Sequence, residues 1–89
     1  MKLRKEQRII LSSVDEDTGW TTGQVAKRSK AFEALGGRIA SAWVRNDLLE
    51  MKAAGLVQEM DGQKPVCWVR TRAGTEALEA ISVLFGKSA

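Results

Sequence analysis

Apolar residues in this chain fall mostly at helical spacing, and clusters of turn residues divide them into segments. From Leu3 to Val14, the residues Leu3, Ile10 and Val14 lie near one face, widened by Ile9 and Leu11, with Lys5, Arg8 and Ser12 opposite. This spacing predicts a first amphipathic helix. Asp15-Glu16-Asp17-Thr18-Gly19 is acidic and turn-rich, and ends it. Trp20-Thr21-Thr22 predicts a short strand, with Thr22 placed as the N-cap of a second helix starting near Gly23. That helix turns Val25 and Ala26 inward and Gln24, Lys27 and Arg28 outward. Phe32 and Leu35 continue the spacing from Val25, so the helix either runs on past Ser29 or restarts as a separate turn. Gly36-Gly37 then breaks it.

The strongest helical pattern runs from Arg38 to Ala54. At about 100° per residue, Ala40, Trp43, Val44, Leu48, Met51 and Ala54 share one face, which is the expected core face. Arg38, Ser41, Ala42, Arg45, Leu49 and Lys52 take the other, with Asn46 at its border and Asp47 and Glu50 off its centre. Gly55 is the expected stop. Leu56 to Met60 and Val66 to Thr71 read as two strands joined by the turn Asp61-Gly62-Gln63-Lys64-Pro65. Thr71 is the expected N-cap of a last helix, whose stripe is Ala77, Leu78, Ile81, Leu84 and Phe85 and whose end is Gly86.

Helix, short strand, helix, helix, hairpin, helix is the order of a winged helix-turn-helix domain. Leu48-Leu49-Glu50-Met51-Lys52-Ala53-Ala54-Gly55-Leu56-Val57 resembles the end of a recognition helix running through a glycine into the first wing strand. Thr71-Arg72-Ala73-Gly74-Thr75-Glu76-Ala77-Leu78 resembles the wing-to-last-helix junction of MarR-like and PadR-like regulators of bacteria and phages. Thr21-Thr22-Gly23-Gln24-Val25-Ala26, opening the second helix, extends the resemblance over nearly the whole chain. One departure stands out: Ser29 to Gly37 is longer than the usual helix-turn-helix turn of about three or four residues. The resemblance implies one α+β domain over residues 1–89, with a three-helix core, a β-hairpin wing and a C-terminal helix. It also implies a double-stranded DNA partner and a role in transcription regulation.

A helix reads base edges in the major groove through its outward N-terminal positions. Here those are Arg38, Ser41, Ala42, Arg45 and Asn46. Arginine suits the two acceptors of guanine, asparagine suits adenine, and a short Ala42 permits close approach. Phosphate contacts are expected from the amides of Thr21, Thr22, Gly23 and Gln24 and from Lys27, Arg28 and Lys30. On the hairpin, Lys64 at the tip and Arg70 and Arg72 on the return side are expected to add to them. The three tryptophans, Trp20, Trp43 and Trp68, and Cys67 are expected to be structural. A single module offers DNA only about 600–1,000 Å², so a homodimer is expected, with Ile81, Val83, Leu84 and Phe85 available at its interface. The alternative is that Ile81 and Leu84 are used up by the monomer's own core.

Composition narrows the rest. The chain has no histidine and no tyrosine and a single cysteine. These counts deny it the commonest general base, a nucleophile–histidine pair, an internal disulfide and a multi-cysteine metal site. No enzyme activity, cofactor, metal or small-molecule ligand is expected. The net charge is +3, and residues 1–30 carry most of it, with seven Lys or Arg against four acids. No apolar run approaches the ~20 residues of a membrane span and no secretory leader is evident, so a cytoplasmic location is expected. The modest charge, the acids Glu59 and Asp61 near the hairpin and the exposed Leu49 keep a second reading open, in which the same fold serves protein–protein contact.

Overall fold

The computed structural model describes residues 2–60, 62 and 64–86, with side chains as far as residue 80. The described residues form an α+β fold: α1 (Lys5–Ser12), β1 (Trp20–Thr21), α2 (Thr22–Ser29), a single 3-10 turn (Glu33–Leu35), α3 (Gly37–Ala53), β2 (Val57–Glu59), β3 (Cys67–Arg70) and α4 (Arg72–Gly86). The sheet is antiparallel in the order β1-β3-β2. Trp20 faces Trp68 across one pair, and Gln58 faces Val69 across the other. No helix of the described residues is long and apolar enough to cross a membrane.

The core gathers the inward stripe of each helix: Ile10, Leu11 and Val14 from α1 and its exit, Val25 from α2, and Val44, Leu48 and Met51 from α3. Leu56, Val57 and Trp68 close it from the hairpin side, with Ala77 and Leu78 of α4 packed on its edge. Ile81, Leu84 and Phe85, and with them Val83, lie outside the described side chains, as do Asp61 and Gln63 of the hairpin turn.

Helix ends follow local chemistry. Thr21, not Thr22, caps α2: its Oγ1 accepts from the Gln24 amide at 3.2 Å while the Gln24 side chain accepts from the Thr21 amide at 2.9 Å. This reciprocal pair is a capping box. The Thr22 hydroxyl is used elsewhere, accepting from the Trp68 indole at 2.9 Å. α2 stops at Ser29, and the chain resumes as the 3-10 turn rather than as a continued helix. Lys30 ends α2 in the left-handed region at φ 55°, its amide bonded to the Ala26 carbonyl. Gly36, at φ 83°, then redirects the backbone into α3. At the far end of α3, the Gly55 amide bonds to Lys52 O and the Leu56 amide to Met51 O. That pairing is a Schellman stop. Thr71 caps α4 as expected, its Oγ1 accepting from the Gly74 amide at 3.1 Å.

Three expectations about α3 and α1 are corrected. Trp43 is half exposed at 51% and Ala54 is exposed, so neither joins the core. The buried arc is filled by Ala40, Val44, Asp47, Leu48 and Met51, and Trp43 sits at its edge against Phe32, with ring centroids 5.8 Å apart. Asp47 lies on the buried side of α3, not its surface. The first helix is also shorter than the apolar pattern, because Leu3 and Val14 reach the core from outside Lys5–Ser12.

Asp47 is held by two residues at the start of the chain. Arg4 Nη2 donates to its Oδ1 at 2.6 Å and to Glu50 Oε2 at 2.9 Å, and Gln7 Nε2 donates to the same Glu50 oxygen at 2.7 Å. Burial pushes the Asp47 carboxyl up, opposed by the Arg4 hydrogen bond and charge. A carboxyl raised on folding favours the folded state most below its unfolded pKa of about 3.9, and that contribution is lost as pH rises through the raised value. Arg4→Gln withdraws the opposing charge and raises the carboxyl further. The variant should therefore lose more thermal stability at pH 7 than at pH 4, read by melting wild type and variant at both. An equal loss at the two pH values would show that Asp47 ionisation is not what Arg4 offsets.

Candidate functional site

The open face of α3 and the start of α2 border one groove of about 850 Å³. Thr21, Thr22 and Gly23 form one wall. Arg38, Ser41, Ala42, Arg45, Asn46 and Leu49 form the floor, and Glu59, Pro65, Val66 and Trp68 of the hairpin close the third side. All five α3 residues expected to meet a duplex are thus brought together. Arg38, Ala42, Arg45 and Asn46 are exposed and Ser41 is half-buried. Local sequence explains the arrangement, since each of the five lies off the arc that α3 buries and the helix has no choice about which arc that is.

A second hollow of about 530 Å³ adjoins this groove and shares Gly23, Arg38 and Ser41 with it. Lys27 and Lys30 of α2 and its exit border it, together with Glu33, Gly36 and Gly37. Lys64 is exposed at the hairpin turn, one residue before the groove-lining Pro65. Among the described residues, no carboxylate forms an ion pair with Lys27, Lys30, Arg38, Arg45 or Lys64.

Two cations placed at the surface by the sequence are tied down instead. The Arg28 guanidinium lies 4.0 Å from the Trp20 ring centroid, donates to the Ser13 carbonyl at 3.1 Å and stands 3.9 Å from Asp15. It braces the α1–β1 turn. Arg70 Nε donates to Thr75 Oγ1 at 2.9 Å and its Nη1 to the Leu11 carbonyl at 3.3 Å. Being the last residue of β3, it points back to α1 and α4 and clamps them to the sheet. Arg72 pairs with Glu76, one turn along α4. Gln24 remains exposed, its side-chain oxygen committed to the α2 cap. Lys52 is also committed, to Glu59 at 2.9 Å.

The sequence reading overlooked the Arg4–Gln7–Asp47–Glu50 cluster, although a signal was present. Gln7 precedes Ile10 and Leu11 by three and four residues, and Asp47 stands at the same spacings from Val44 and Met51. Both polar residues therefore sit on apolar stripes. Among the described residues there is no group of three or more His, Cys, Asp or Glu able to hold a metal ion. Comparisons with protein-family models, with curated proteins and with solved structures find no match for this chain.

Proposed function

We propose that the chain is a winged helix-turn-helix domain that binds double-stranded DNA, laying α3 in the major groove with the β2–β3 hairpin as its wing. The observation that carries this reading is the groove itself. It joins the side chains Arg38, Ser41, Arg45 and Asn46, suited to reading bases, to the backbone amides that open α2 and to the hairpin, and among the described residues no carboxylate forms an ion pair with its two arginines. Polyanionic duplex complements such a surface, whereas a neutral partner leaves the arginine charges unanswered. The working description is a small transcription regulator of bacterial or phage type, without catalysis and without a cofactor. Pairing of two copies on a palindromic site would double the contacts.

Gel shift at low salt against unrelated duplexes tests this directly, because non-specific affinity comes almost wholly from phosphate contacts. Retarded bands that weaken steeply with salt are expected. Intact duplex mobility throughout would favour the protein-contact reading, to which the exposed Ile39, Trp43 and Leu49 give an apolar surface. The cations can be separated the same way. Lys27→Ala and Lys64→Ala should each weaken binding to any duplex and reduce the slope of log affinity on log salt by about 0.9 or less. Arg28→Ala should leave that slope alone and lower the melting temperature, because its partners are Trp20, Ser13 and Asp15. A slope that falls only in the Arg28 variant would reverse these assignments.

A further inference from the structure

We infer that the apolar side chains exposed on α3 recognise thymine 5-methyl groups, with Ile39 as the principal contact, so that the preferred duplex carries thymine beneath them. This inference rests on the DNA reading above. Ile39, Trp43 and Leu49 are 54%, 51% and 42% exposed, three large apolar groups in water on one helix that also carries two arginines with no carboxylate partner among the described residues. Scattered exposed apolar residues need no explanation, but Leu49 lies among the polar readers and Ile39 stands beside Asn46 at the edge of their face. Ile39 comes three residues before Ala42 and seven before Asn46, spacings that keep all three along one side of a helix. Leu49 lines the groove beside Arg45 and Asn46. Trp43, one turn beyond Ile39, is steadied by the Phe32 ring.

The occupant of this face has to answer both its charge and its apolar groups. The thymine methyl is the apolar group that the major groove displays, and it stands among acceptors that suit arginine. A second copy of the chain would set the arginines of one α3 near those of the other. Three half-exposed side chains also fall well short of the roughly 800 Å² per partner of a standard protein interface.

The test uses duplexes enriched by the full chain from a randomised library at low salt. Replacing thymines of the enriched site with deoxyuridine removes the methyl and keeps base pairing. Affinity of the wild type should fall about fourfold for each contacted methyl. Ile39→Asn should lose most of the thymine-over-uracil preference while melting near the wild-type temperature, since its side chain lies outside the core. Equal wild-type affinities for thymine and uracil duplexes would overturn the inference and leave the DNA reading standing. So would an Ile39→Asn protein whose thymine preference equals that of the wild type. If sedimentation shows a wild-type dimer that Ile39→Asn dissociates without change in DNA affinity, the occupant is a second copy and the inference is wrong. Failure to enrich any duplex removes the DNA reading and this inference with it.

Discussion

Gly74→Ala is expected to cost about 2 kcal/mol of folding stability and to lower Tm by roughly 10 °C. Gly74 is buried in the first turn of α4, where that helix crosses the start of the hairpin. A Cβ there would stand 2.2 Å from the Leu56 carbonyl oxygen, 3.2 Å from its carbon and 2.8 Å from Arg70 Cγ. Backbone atoms have no rotamer to retreat into, so the helix or the strand has to move. The Leu56 carbonyl accepts the Thr71 amide at 3.0 Å, and Thr71 Oγ1 both caps α4 and donates to the Gly55 carbonyl at 2.6 Å. One added methyl therefore disturbs the junction of α3, hairpin and α4 together. Alanine's better helix propensity returns about 1 kcal/mol at most, too little to offset an overlap with backbone. Gly23→Ala makes the control, because a Cβ at Gly23 meets nothing within 4 Å. Urea or thermal melts of both variants decide the matter, and an unchanged Gly74→Ala protein would mean the junction is looser than described.

Arg45→Ala is expected to lower affinity for the preferred duplex by about 1–3 kcal/mol and to relax base preference at one position of the site. Arg45 is exposed near the middle of α3 and lines the groove between Ser41 and Leu49, with no carboxylate paired to it among the described residues. Its place on the floor puts it where a base edge, not a phosphate, would sit. Affinity for an enriched duplex and for a random one should be measured side by side. A base contact lowers the first much more than the second. Equal losses on both would make Arg45 a phosphate contact and shift the reading role to Arg38 and Asn46.

Much of this architecture was legible because spacing and punctuation agreed. The pattern at 38–54 returned α3 almost to the residue, since Gly36 and Gly55 mark both of its ends. The hairpin and the Thr71 cap were equally plain. What spacing could not supply was the choice among side chains at the border of a stripe. Trp43 and Asp47, four residues apart, lie at the same border of the apolar arc of α3, and hydrophobicity alone assigns the tryptophan to the core. The fold buries Asp47 instead, because Arg4 and Gln7 arrive from α1 to hold it and Phe32 covers part of the tryptophan. Those partners are more than ten residues away in the chain, beyond the reach of any local pattern. Arg28 and Arg70 show the same limit on the site. Each looks like a free surface cation until tertiary neighbours, Trp20 with Ser13 and Thr75 with Leu11, claim it.

Binding of a duplex across the face shared by α2, α3 and the hairpin is what the proposed function requires. It is tested most directly by titrating isotope-labelled protein with a short duplex and following the backbone amides by NMR. Shifts should concentrate at Thr21 to Gln24, at Arg38, Ser41, Ala42, Arg45, Asn46 and Leu49 of α3 and at Lys64 and Val66, while α1 stays still. Shifts confined to α1 or α4, or no shifts at low salt, would contradict the account.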